Sequence, residues 1–143
     1  MATAFVYGLG RMRTLDDLPG ANELKDWFGY LPNFHDSEVL KLDLRRSPEP
    51  SSLLISVWHT RDKVEQDGTF HRERHAEVKF VFSDIVHLEI SDWNHQNVLA
   101  RLDFSTSADG IAINLMGSFG IEGRIVARDI RVMVDKAQER SLK

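Results

Sequence analysis

The chain has no cysteine. Disulfide frameworks, thiolate zinc sites, cysteine nucleophiles and iron–sulfur ligation are thereby excluded together. No apolar run approaches the roughly 18 residues that a helix needs to span a bilayer, so no membrane association is expected. Residues 1–10 are apolar but show neither a basic stretch nor a cleavage site, which argues against a secretory signal. With no cysteine and no leader, a cytoplasmic location is expected. Excess charge is scarce as well. Lys and Arg number 18 against 22 Asp and Glu, a formal net charge of -4. A general binder of nucleic acid or anionic membrane needs the opposite balance. Arg72, Arg74, Arg101, Arg124, Arg128 and Arg131 are scattered and form no stripe with aromatics, so no nucleic-acid partner is expected. Familiar catalytic signatures are missing too: there is no P-loop, no dinucleotide fingerprint, no His-Glu-x-x-His and no Gly-x-Ser-x-Gly.

What remains is an ordinary soluble composition, 42% hydrophobic and 28% charged, which places the chain among folded rather than disordered proteins. Its 143 residues can bury one core without a metal or disulfide staple. No internal repeat or low-complexity tract interrupts it. Residues 1–20 break any periodic pattern and read as a peripheral arm. Residues 21–134 read as a single domain, and 135–143 as a polar tail. Within the arm, Phe5, Val6, Tyr7 and Leu9 suit pairing with a sheet edge of a second copy, so residues 1–10 are a candidate route to a homo-oligomer.

Residues 22–28 read as a short helix. Asn22 suits its N-cap, Glu23 its first turn and Gly29 the position past its end. Leu24, Trp27 and Phe28 share one side, and so short a helix must dock through them. The body is β. Leu40, Leu42 and Leu44 alternate with Lys41 and Asp43, until Pro48 and Pro50 end the pattern. Residues 53–60 carry apolar side chains on both faces, as for a strand covered on both sides. Further strands read at 70–82, 86–90, 98–104 and 111–115. A last one starts at Ile121 and continues through Ile130 and Val132, with a bulge near Arg128 and Asp129 where the apolar parity flips. The expectation is a mainly-β fold: an antiparallel meander of about seven strands with one short N-terminal helix. Curved sheet, sandwich and partly open barrel all fit that pattern.

Three polar clusters stand out. The first is Asn33, Phe34, His35, Asp36, Ser37 and Glu38. Extended from the next strand, the pattern puts Asp36 and Glu38 on the side of Leu40, Leu42 and Leu44. Such a pair can do acid–base work or hold an ion beside His35. Equally, it can lie at a sheet rim, bonding loop amides. The second cluster is Trp93, Asn94, His95, Gln96 and Asn97, between two strands. It suits a loop that bonds its own backbone, or a recognition loop anchored by Trp93. The third, His71, Glu73 and His75, would share a strand face. Glu77 and Lys79 continue that face, so a solvated polar stripe explains it without a metal, and no cofactor is expected. The three tryptophans, Trp27, Trp58 and Trp93, suit the core or its rim.

The order of these features carries a resemblance. Trp27, Phe28 and Gly29 precede Pro32, Phe34, His35, Asp36, Ser37, Glu38 and Val39. Trp58 follows, then Asn94, His95, Gln96, Asn97 and Val98. The string Phe119, Gly120, Ile121, Glu122, Gly123, Arg124 and Ile125 closes the series. Over roughly residues 24–134 this resembles the immunity protein 50 family of bacterial polymorphic-toxin systems. Leu31 replaces an expected aromatic, and Ser37 a usual alanine. The resemblance implies a small cytoplasmic, mainly-β protein that binds and neutralises a toxin domain, without catalysis. It carries over no established site residues. Read by type, the candidate partner-binding residues are His35, Asp36, Glu38, Trp93, Asn94, His95 and Gln96. The competing expectation is a small-molecule or ion-binding β-domain, enzymatic or not, that uses His35, Asp36 and Glu38.

Overall fold

The computed structural model describes residues 14–59 and 74–136. A single turn of 3-10 helix at Leu15–Asp17 leads into helix α1, Ala21–Phe28. Six strands follow: β1 Glu38–Asp43, β2 Ser51–His59, β3 Arg74–Ser91, β4 Leu99–Ser107, β5 Gly110–Gly117 and β6 Glu122–Lys136. All neighbours pair antiparallel in one open sheet, in the order β1-β2-β3-β6-β5-β4. The mainly-β expectation holds, with its one short helix. Among the described residues the strands number six rather than seven, because the described part of 70–82 and all of 86–90 lie on the single long strand β3; residues 70–73 lie outside the described residues. Pairing is sequential within each half, β1 to β3 and β4 to β6. The halves join where β3 lies beside β6, so β4 becomes the second edge.

The strand that replaces two bends instead of breaking. Phe82 pairs with Ile130, and Ile85 with Ala127, in unbroken register. Phe82, Ile130 and Ala127 are buried, whereas Ser83, Asp84, Arg128 and Asp129 between them are exposed. The parity flip expected at Arg128 and Asp129 is therefore real, and both strands make it together. Asp84 takes a left-handed φ of 55° at this point. The true bulge lies on the partner strand, between Ile85 and His87.

The inner face buries Leu53, Ile55, Val57, Val78, Phe80, Phe82, Ile113, Ile125 and Ile130. Helix α1 packs against β6 and β3 and adds Leu24 and Phe28 to this core. Trp27 is half-buried on the same side and donates its indole N–H to the His75 carbonyl at 3.0 Å. The helix starts at Ala21, two residues earlier than a cap at Asn22 implies. Its N-cap is Gly20, at φ 92°, while Gly29 ends it at φ 83° as expected. Gly20 is required by space as well as by φ: an added Cβ would lie 1.9 Å from the Val132 carbonyl oxygen. The preceding residue, Pro19, accepts the Val132 N–H at 2.8 Å. Within the segment read as an arm, residues 14–20 are described, and Leu15 and Leu18 are buried in the core.

Two face assignments differ from the sequence reading. Leu40 sits in a bulge of β1 between Val39 and Lys41. Val39, opposite Ile55, and Leu42, opposite Leu53, take the core face, while Leu40 and Leu44 are exposed. Strand β2 is buried on one side only: Leu54 is half-buried and Trp58 exposed on the other. Among the described residues, no helix is long and apolar enough to cross a membrane.

Candidate functional site

The geometry of the first polar cluster begins with Phe34. Its backbone is left-handed, φ 65°, and its side chain is buried. The ring meets Phe80 edge-on, with centroids 5.7 Å apart. Two residues later Asp36 is left-handed again, φ 67°. This pair of turns drives one aromatic inward and leaves His35 and Asp36 exposed beside it. The Asn33 carboxamide oxygen steadies the turn by accepting the His35 N–H at 2.9 Å. His35 Nδ1 lies 3.2 Å from Asp36 Oδ2. Glu38 opens β1 opposite Ser56, on the outer face. The bulge at Leu40 thus removes it from the apolar stripe on which the sequence pattern placed it. Just before this turn, Tyr30 is partly exposed, and burial of its remainder raises its phenol pKa.

The second cluster lies against the first. The Asp36 N–H donates to the Leu99 carbonyl at 2.8 Å, the Leu99 N–H to the Ser37 carbonyl at 2.7 Å, and the Val39 N–H to the Asn97 carbonyl at 2.8 Å. An isolated antiparallel bridge joins Glu38 to Val98. The sheet stays open, yet its two edges touch at this corner. Ser37 and Asn97 are buried there. Asn97 Oδ1 accepts the Asn94 N–H at 2.9 Å, and Asn94 Oδ1 accepts the Gln96 N–H at 2.7 Å.

A third loop, between β5 and β6, completes the corner. The Ser118 N–H donates to the Val98 carbonyl at 2.8 Å, and the Gly117 N–H to the Ile121 carbonyl at 2.7 Å. Asn94 Nδ2 donates to two carbonyls, Asp92 at 2.8 Å and Phe119 at 3.1 Å. One half-buried amide therefore ties the β3–β4 loop to itself and to the β5–β6 loop.

The seven candidate residues thus come together, but not in one role. His35, Asp36, Trp93, His95 and Gln96 are exposed. Glu38 is half-buried in the bridge, and Asn94 is committed to main-chain bonds. Sequence reasoning passed over Phe119, the most exposed large apolar side chain among the described residues at 59%, and Met116 at 52%. For Phe119 the signal lies in the Phe119-Gly120 string, whose order carries the resemblance but whose exposure the sequence does not mark; Met116 lies outside that string. Of the third cluster, only His75 is described in full. His71 and Glu73 lie outside the described residues, as do residues 1–10.

The corner offers a surface, not an enclosed chamber. Two surface cavities, of about 230 and about 150 Å³, are lined by Thr14, Leu15, Pro32, Phe34, Leu102, Asp103 and Phe104, and by a group around Arg45, Ser47 and Asp84. Neither is lined by His35, Asp36 or Glu38. Among the described residues, no three His, Asp or Glu side chains are grouped so that they could hold a metal ion.

Comparison with family models gives one match, to Immunity protein 50, over residues 20–136. The chain belongs to this family. The match runs from the N-cap of α1 to the end of β6 and includes all three corner loops. No curated protein and no solved structure matches the chain. For this Immunity protein 50 member, the three-loop corner is the feature that gathers the candidate residues into one place.

Proposed function

We propose that this protein binds and neutralises a cognate bacterial toxin domain in the cytoplasm, without catalysis, through the three-loop corner. Family membership supports the class of function. One observation supports the location: three main-chain hydrogen bonds and a bridge lock residues 36–39 to residues 97–99, two segments far apart in sequence. A rigid surface that carries His35, Asp36, Trp93, His95 and Gln96 loses little freedom on binding. Trp93 is an exposed aromatic of the kind that anchors interfaces. Inhibition would then be steric, by covering the toxin's active surface or fixing its shape.

The competing ligand-site reading needs polar groups converging on an enclosed cavity. His35 and Asp36 instead face solvent, and no observation here favours a bound small molecule.

The test is co-expression. Bacterial toxin domains are each induced in a host with and without the full chain, and any pair that restores growth is then co-purified. Restored growth together with a stable complex is the expected result. Folded protein that neither restores growth nor co-purifies contradicts the reading.

A further inference from the structure

We propose that the partner of the corner is a protein surface that is basic and surrounds an apolar pocket. The proposal rests on the neutraliser reading above and names the chemistry of the surface it grips. Segments 30–39, 91–99 and 116–123 meet at the corner. They contain four carboxylates, Asp36, Glu38, Asp92 and Glu122, and no Lys or Arg. The rest of the chain is balanced, with eighteen of the 22 acidic residues set against 18 basic ones. The whole formal net charge of -4 therefore resides on three short segments. The cation of adjoining β4 does not offset it: Arg101, opposite Met116, places Nε 2.8 Å from Asp103 Oδ2.

Trp93 and Phe119 are two of the exposed aromatic side chains within this charge. Trp93 is 45% exposed and Phe119 59% exposed. Their loops are in direct contact. Asn94 Nδ2 bonds the Phe119 carbonyl, and a Cβ at Gly120 would sit 3.4 Å from Asp92 Cβ. Covering both rings removes much apolar surface from water. The same act desolvates carboxylates at the rim, which is unfavourable unless cations face them. A partner that satisfies both demands holds Lys or Arg around an apolar recess. A second copy of this chain does not, since a two-fold contact sets the same four carboxylates of each copy against one another.

The experiment uses the full chain and a catalytically inactivated form of the toxin domain it neutralises in the co-expression test. Association and dissociation rates are measured at about 50 mM and about 300 mM salt, where screening differs severalfold. The double variant Asp92→Asn/Glu122→Gln is expected to slow association about tenfold at low salt and far less at high salt. Trp93→Ala is expected to speed dissociation about tenfold or more. The control pair Glu49→Gln/Asp109→Asn, on loops at the far ends of β1 and β4, is expected to leave both rates unchanged. Circular dichroism confirms that each variant is folded. A complex whose rates ignore the corner substitutions overturns this proposal and leaves the neutraliser reading standing. A folded wild-type chain that forms no complex overturns both. A wild-type dimer that Trp93→Ala dissolves, seen by sedimentation, assigns the corner to self-association and overturns the proposal.

Discussion

Phe34 holds a left-handed backbone and a buried ring, while His35 beside it faces solvent. The side chain at 34 supports the fold, and those at 35 and 36 are exposed and pair with each other. Phe34→Ala is expected to cost about 3–5 kcal/mol, read as a lower denaturant midpoint, because a large cavity opens against Phe80. Asn94→Ala is expected to behave differently. It removes the amide that joins the Asp92, Gln96 and Phe119 segments, so stability falls by only about 1–2 kcal/mol. Hydrogen exchange at the Gln96 amide, now without its acceptor, should accelerate markedly. The sequence marks these loops by residue type, since Asn and Asp favour turns that bond their own backbone. It does not separate the displayed side chains from the bonded ones. That division depends on two left-handed φ values and on contacts between loops, residues 36–39 with 97–99 and Asn94 with Phe119.

At the scale of the element, helix α1 and the long strands carry the most informative details. The side of α1 that docks was legible from Leu24, Trp27 and Phe28, and its end from Gly29. Its start was not, because Gly20 caps it for a tertiary reason: its α-carbon must pass close to the Val132 carbonyl of β6. Gly20→Ala is expected to lower stability by about 2 kcal/mol or more, measured as a fall in melting temperature, through both the φ of 92° and the clash. An alanine at Gly29, with nothing within 4 Å of an added Cβ, meets only the φ penalty and should cost less. The apolar alternation along β3 is interrupted by Ser83 and Asp84, so the sequence alone reads as two strands. A flip that its partner β6 matches in register is a bend, and one sequence alone does not reveal the partner. The bulge at Leu40 likewise misdirects the pattern of β1. Three leucines at alternate positions look like one face until an extra residue shifts them.

For the whole molecule, topology accounts for the site. The two halves of the sheet join through β3 and β6, which makes β1 and β4 the outer edges. Curvature then returns the start of β1 to the start of β4, where the Glu38–Val98 bridge holds them. Two polar clusters that were ambiguous apart in the sequence thereby become one surface, with the β5–β6 loop as its third side. Composition showed a net charge of -4 but not its location. The three loop segments that meet at this corner hold four carboxylates and no Lys or Arg.

The most direct test is a hydrogen-exchange footprint of the full chain, free and bound to the catalytically inactivated toxin domain that it protects against in co-expression. The account predicts new protection in residues 33–38, 92–99 and 117–122, with the β1–β2 loop and the β4–β5 turn unchanged. Protection confined to the outer face of β2 and β3, or to the exposed side of α1, with the three corner loops exchanging as in the free protein, would contradict it.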